Sequence, residues 1–312
     1  MKAIRRLIGQ EKKPTTFDTQ ERSIPAVPAD EIGQELKSWA NSVGVVLAPV
    51  DAVWWQLQNK QDLTVEERVK SGVVGLQFHG GGYMLGRRRR PSRGSLVRIP
   101  RGLIQHGICA SVLSVEYSLI GLSEDDESRP FPTQLLEAVS AYRYLLKDMN
   151  VPASRIVFVG DSAGAHLVLA LQRYLCETQT LPFPSGLFLH SPWCDLSADA
   201  QRPQMPRLLG SMTADHLSSP YFSPSLNPAP RHWPPTLIYY GETEQFKTSI
   251  VALESQLKNA NAKVTAYAAP GIPEYCSHDF LIMANVENGF PEEVRKCWRR
   301  VKGWAQTLEA KR

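Results

Sequence analysis

The sequence predicts an α/β fold, a doubly wound and mostly parallel sheet flanked by helices. Three observations carry that expectation. Short apolar runs alternate with helical stretches of about 10–15 residues along much of the 312-residue chain. One apolar run ends in the glycine-rich His79-Gly-Gly-Gly82, and another enters Gly160-Asp-Ser-Ala-Gly164. Hydrophobic residues make up 43% and charged residues 21% of the chain, enough apolar material for a buried parallel sheet.

Taken in order, the N-terminus is basic, with Ile4, Leu7 and Ile8 at helical spacing. Gln10, Glu11, Lys12 and Lys13 follow at once, so the apolar stretch of a secretory signal is missing. Residues 14–30, rich in Pro, Thr, Asp and Glu, read as extended or mobile. From Ala29 to about Val46 the pattern is helical, with Ile32, Leu36 and Trp39 on one face. A charged stretch, Asp62 to Lys70, precedes the first clear strand, Val73–Phe78. Further strands are expected at Ala110–Val115, Arg155–Val159, Gly186–His190, Thr236–Tyr240 and Val264–Ala268. Helices are expected at Gln134–Lys147, Gly164–Leu175, about Thr248–Asn259 and Pro291 to about Leu308. Proline suits the first turn of that last helix, where its missing N–H costs nothing. Residues 195–235 break the rhythm with many prolines and no strong strand, and read as an insertion over the sheet's C-terminal edge.

The segment Gly160-Asp-Ser-Ala-Gly164 sits between an apolar strand and a helix-forming stretch. That context lets a serine stand on a sharp turn with its hydroxyl in the open. Glycines are needed where a Cβ would strike neighbouring backbone. At the start of a helix, the Ala163 N–H and the helix dipole can face a developing negative oxygen. The His79–Gly82 loop offers further N–H donors, and Gly80 and Gly81 are the expected ones. Ser162 is the candidate nucleophile.

His79-Gly-Gly-Gly-Tyr83 followed by Gly160-Asp-Ser-Ala-Gly164 resembles the hormone-sensitive-lipase-like esterases of the α/β-hydrolase superfamily. The resemblance runs from about residue 72 to 285. It includes Glu116-Tyr117, Pro130-Phe-Pro132, Ser191-Pro-Trp193 with Asp195-Leu196, and Tyr221-Phe-Ser-Pro224. It implies one α/β-hydrolase domain over 1–312, with a small helical lid from about 1–45 and 195–235. After Glu116-Tyr117 the family usually reads Arg-Leu-Ala-Pro-Glu. Here Ser118-Leu-Ile-Gly-Leu-Ser-Glu-Asp-Asp stands instead, which alters a loop near the site.

The chemistry needs a base and an orienting acid, in the chain order Ser, acid, His. Of seven histidines, only His278 lies beyond the last expected strand, and Ser277-His-Asp-Phe280 resembles the family's histidine loop. His79 and His166 read as structural. The strand Thr236–Tyr240 runs into Gly241-Glu-Thr-Glu-Gln-Phe246. The family's acid usually stands four residues after that strand, which is Glu244, with Glu242 the competitor. Either carboxylate type can hold the imidazole tautomer. Tyr83, in the glycine-rich motif, and Trp193, just past a strand's C-terminal end, are expected to line the substrate pocket.

The expected activity is therefore hydrolysis of carboxylic esters with small or medium, hydrophobic acyl groups through an acyl-enzyme. No metal or organic cofactor is implied. Alternatives are an aryl-formamide amidase and a biosynthetic hydrolase of a polyketide-like metabolite in secondary metabolism. A non-catalytic ligand receptor is the reading from another class, and the retained Ser162 and His278 argue against it. The net charge of +4 and the lone Arg87–Arg90 cluster do not make a nucleic-acid binder. No run of about 18 apolar residues occurs, so stable membrane insertion is not expected. Five scattered cysteines without a CxxC pattern read as free thiols, which points to the cytoplasm. A homodimer stays open.

Overall fold

The computed structural model describes residues 16–58, 64–86, 95–121, 129–283 and 289–309. The basic N-terminal segment and the Arg87–Arg90 cluster lie outside them.

Eight strands form one sheet: β1 (Phe17–Ile24), β2 (Val50–Leu57), β3 (Val74–Phe78), β4 (Ser111–Glu116), β5 (Ile156–Asp161), β6 (Gly186–His190), β7 (Thr236–Gly241) and β8 (Val264–Ala269). Their spatial order is β1-β2-β4-β3-β5-β6-β7-β8. From β4 to β8 every pairing is parallel, while β2 lies antiparallel to both β1 and β4. The six parallel strands match the apolar runs of the sequence, and the mostly parallel, doubly wound architecture stands as expected.

The strands β3, β5, β6 and β7 are buried along their full length, as a sheet covered on both faces requires. Alternate residues supply two cores. Leu76, Phe158, Leu189 and Ile238 pack toward α4 (Thr133–Lys147), α5 (Ala163–Thr178) and α7 (Lys247–Asn259). Val112, Val157, Phe188 and Leu237 pack toward α3 (Arg98–Gln105) and the C-terminal helix, here α9 (Pro291–Glu309). Each such side chain contributes about 1.5–3 kcal/mol through burial, so the sheet is a stiff platform for its C-terminal edge.

Three short helices complete the described chain: α2 (Val65–Val69), α6 (Met205–Leu209) and α8 (Glu274–Ser277). The expected helix from Ala29 is realised as one 3-10 turn, Ala29–Glu31, and then α1 (Gln34–Ser42). Its Trp39 ring meets Phe131, Tyr221 and Phe222, and its indole N–H points at Met212 sulfur. Ser211 Oγ donates to Ser42 O at 3.2 Å. Thus α1 and the 195–235 insertion form one packed layer.

Elements outside the expected set include β1, β2 and α3. Phe17–Ile24, assigned to an extended segment and to the lid, is instead the edge strand β1. Its residues are largely solvent-facing and polar, so no apolar run announces it. The α3 helix contains Pro100 within its first turn, where an N–H has no intrahelical partner. The proline does not break the helix.

Candidate active site

The register aligns Phe78 with Gly160 and Asp161 with His190, so the loops after β3, β5 and β6 open at one edge. Ser162 follows β5 directly and precedes the first residue of α5. Its backbone has φ +50° and ψ −115°, a strained conformation for a side-chain-bearing residue. The strain is held from both sides. The Ser162 N–H donates to His190 O at 3.0 Å, and the Trp193 N–H donates to Ser162 O at 3.2 Å. A Cβ on Gly160 would stand 2.4 Å from Gly164 O, and one on Gly164 would stand 2.1 Å from Phe78 O. Only glycine lets the turn close this tightly on β3.

His278 follows α8, and its Nε2 stands 3.0 Å from Ser162 Oγ. Glu244, in the loop after β7, is buried, and its Oε1 lies 3.6 Å from His278 Nδ1, an ion-pair separation. The other carboxylate oxygen, Oε2, accepts from Ser191 Oγ at 2.6 Å and from the Gly241 N–H at 3.0 Å. Glu242 is exposed, and its N–H pairs with Ala269 O. Of the two glutamates, the structure thus brings Glu244 to the imidazole. Burial by itself lowers the His278 pKa, but the charges of Asp279, Glu244 and Asp161 around it outweigh that effect. The net result is a pKa above the ordinary histidine value.

Gly80, expected as an oxyanion donor, is corrected by the structure. Its buried N–H donates to Asp161 Oδ2 at 2.8 Å and is already engaged. A Cβ there would stand 2.5 Å from that oxygen. The next two glycines, Gly81 at φ +110° and Gly82 at φ +62°, are partly open to solvent. They stand with Ala163, first residue of α5, as the remaining N–H donors near the site. His79 serves the loop as a brace, stacked on Tyr117 with Nδ1 2.7 Å from Gly80 O.

Tyr83 also departs from expectation. It is fully buried at φ +63°, with its hydroxyl against His166 Nδ1 and its ring against Tyr117 and Phe131. The turn folds it behind the loop, so it supports the site without lining a cavity. Trp193 is 2% exposed, and its indole N–H donates to Asp199 Oδ2 at 2.6 Å. Its ring lies nearly parallel to Phe246, whose edge-on contact with His278 has centroids 4.9 Å apart. Phe246, Asp161 and Gly82 are members of this neighbourhood to which residue patterns gave no role. Asp279, whose adjacency to His278 makes its side chain poorly placed to bond that ring on sequence grounds, is corrected: its Oδ2 lies 3.7 Å from His278 Nε2. Among the described residues, no group of three or more His, Cys, Asp or Glu is arranged to hold a metal ion. A hydroxyl, an imidazole and a buried carboxylate in this order have the parts required for nucleophilic acyl transfer.

The fold and this turn define the class. The family model described as the alpha/beta hydrolase fold matches residues 75–281, and the chain belongs to that family. An acetyl-hydrolase of Streptomyces hygroscopicus is 30% identical over 212 residues, covering 63% of this chain and 65% of that protein. An ethyl acetate hydrolase of Pseudomonas putida is 28% identical over 236 residues, 69% of this chain and 68% of its own length. The chain spans only 26% of another relative, steryl acetyl hydrolase 1 of Saccharomyces cerevisiae. A crystal structure of a hormone-sensitive lipase from a metagenome library superposes with a TM-score of 0.61 at 25% identity, over 84% of this chain and 82% of that one. No helix among the described residues is long and apolar enough to cross a membrane.

Proposed function

We propose that this protein is a serine esterase that hydrolyses carboxylic esters carrying small acyl groups. The observation that carries the reading is the 3.0 Å approach of His278 Nε2 to Ser162 Oγ on a strained turn at the sheet's C-terminal edge. Ser162 Oγ attacks the ester carbonyl, and its proton passes to His278 Nε2. Glu244 holds the imidazole through Nδ1. The N–H groups of Gly81, Gly82 and Ala163 receive the oxyanion, each such donor being worth about 2.7–4 kcal/mol in the transition state. The alcohol leaves with the proton from His278. Water, deprotonated by His278, then attacks the acyl-Ser162 carbonyl; the intermediate collapses by breaking the bond to Ser162 Oγ, which takes its proton back from His278, and the carboxylic acid is released.

The relatives named for acetyl and ethyl acetate hydrolysis support a small acyl group. The layer of α1 and residues 195–235 serves as the lid. The free thiols suit a reducing, cytoplasmic setting.

The test is hydrolysis of p-nitrophenyl esters from acetate to decanoate by wild type and Ser162→Ala, together with fluorophosphonate labelling. Activity greatest on acetate to butyrate, with both activity and labelling lost in the variant, is the expected result. A folded protein whose Ser162 neither turns over esters nor takes the label would overturn the reading and favour a ligand receptor. Labelling without ester turnover would redirect the search to amide substrates.

A further inference from the structure

Behind the Ser162–His278 pair lies a buried polar cluster that the proposed mechanism does not use. Asp279, the residue after the imidazole, is 3% exposed and adopts φ +54°. This left-handed backbone turns its side chain inward, under the site. Its Oδ1 lies 3.2 Å from Nδ1 of the fully buried His190, and its Oδ2 lies 3.7 Å from His278 Nε2. Its backbone N–H donates to Ser191 Oγ at 3.2 Å, and Ser191 Oγ in turn donates to Glu244 Oε2 at 2.6 Å. Asp161, from the nucleophile turn, is 1% exposed and receives the Gly80 N–H. Oxygens of both aspartates lie within 3.1 Å of the point where a Cβ on Gly80 would stand, so the two carboxyl groups share one small space under the glycine loop.

From this geometry we infer that Asp279 is a positioning residue of the hydrolase, a second carboxylate that works on His278 from the side opposite Glu244. The inference rests on the Ser162–His278 reading above. Asp279 is anchored by three elements: the end of β6 through His190 and Ser191, the Gly80 loop through its neighbour Asp161, and its own chain through His278. The groups facing it are His190, Ser191, Asp161 and His278, with Glu244 reached through Ser191. Its backbone fixes Glu244 through the Ser191 relay, so one residue couples the orientation of the acid to the position of the base. Its side chain supplies negative charge at the imidazole edge that faces Ser162.

The electrostatics agree in direction. Two carboxyl groups in one dry pocket cannot both ionise at ordinary cost, so Asp161 keeps its proton and Asp279, facing the imidazole, is the member that carries the charge. Burial raises both Asp161 and Asp279; the Asp279 charge raises Asp161 further, while His278 pulls Asp279 back down and Glu244 pushes it up. Among the charges that raise His278, Asp279 is the largest. His190 stays neutral because burial pushes it down to about 3, and its Nδ1–H can donate to Asp279 Oδ1.

The experiment compares kcat/KM for p-nitrophenyl acetate against pH in wild type and Asp279→Asn, with fluorophosphonate labelling of both. Asparagine keeps an acceptor for His190 and the backbone bond to Ser191 while removing the charge. The acid limb of the variant is expected to move to lower pH by about one unit, because a nearby opposite charge raises an imidazole by one unit or more. An acid limb that stays in place, with only thermal stability reduced, would overturn the inference and leave Asp279 a structural residue. Failure of the underlying triad is separately visible, since it would leave wild-type labelling absent. If the variant does not fold, carboxyl carbon NMR of the wild type decides the matter. An Asp279 carboxyl that titrates in step with the His278 imidazole supports the inference. One that titrates in the ordinary carboxylate range, independently of His278, removes it.

Discussion

Glu244 and Glu242 stand two residues apart in one loop, yet their environments give them different work. Glu244 is buried, with one oxygen held by Ser191 and the Gly241 N–H and the other turned to His278. Glu242 faces solvent. Glu244→Gln should therefore lower kcat for p-nitrophenyl acetate by on the order of 10²–10⁴-fold, the scale seen when a triad acid loses its charge. Glu242→Gln should leave it within about twofold, as surface substitutions do. Comparable losses in both variants would show that the loop rearranges in solution. At this scale the sequence was informative wherever the chemistry is local. The turn around Ser162 and the loop around His278 were legible, because neighbouring residues dictate them. The fate of Gly80 was not legible, because its hydrogen-bond partner Asp161 is 81 residues away and acts only after β3 and β5 pair. Tyr83 misled for the same reason, since its hydroxyl finds His166 on a distant helix.

Among the elements, α1 has the clearest consequence. It is short and only partly buried, yet Trp39 carries it into a nest of Phe131, Tyr221 and Phe222. These rings come from the segment before α4 and from the insertion, so the helix is held by tertiary contacts and little by its own nine residues. Trp39→Ala should cost about 2–4 kcal/mol where the layer packs. As the same layer is proposed to cover the site, KM should rise severalfold while kcat changes less than about threefold. Thermal melting and steady-state kinetics on p-nitrophenyl butyrate check both. A collapse of kcat at unchanged KM would separate α1 from any lid role. The central strands were legible as buried apolar runs, and α4, α5, α7 and α9 as helical faces. The edge strand β1 and its neighbour β2 were not, since β1 is polar and exposed and only its pairing to β2 makes it a strand.

For the molecule as a whole, the buried sheet sets which histidines can change charge. His79 is lowered by burial, His166 is pushed down to about 4, and His190 to about 3. Each remains neutral while the unfolded chain takes up a proton, so its contribution to stability is complete above about pH 6.5 and fades as pH falls toward its folded value. His278 behaves in the opposite sense. Burial lowers it, but Asp279, Glu244 and Asp161 more than compensate, so its folded pKa lies above 6.5. Its charged form therefore stabilises the fold below pH 6.5, and that contribution is lost as pH rises through the folded value. Activity runs the other way, because only the neutral imidazole can take the Ser162 proton. The expected result is a kcat/KM that falls on acidification with a midpoint above 6.5, followed in parallel by the rate of fluorophosphonate labelling. The assay is p-nitrophenyl acetate hydrolysis from about pH 5 to 8.5, corrected for spontaneous cleavage. A midpoint below 6.5 in a protein shown to be folded would mean that burial wins at His278, and that the three acids around it do not act together on the base.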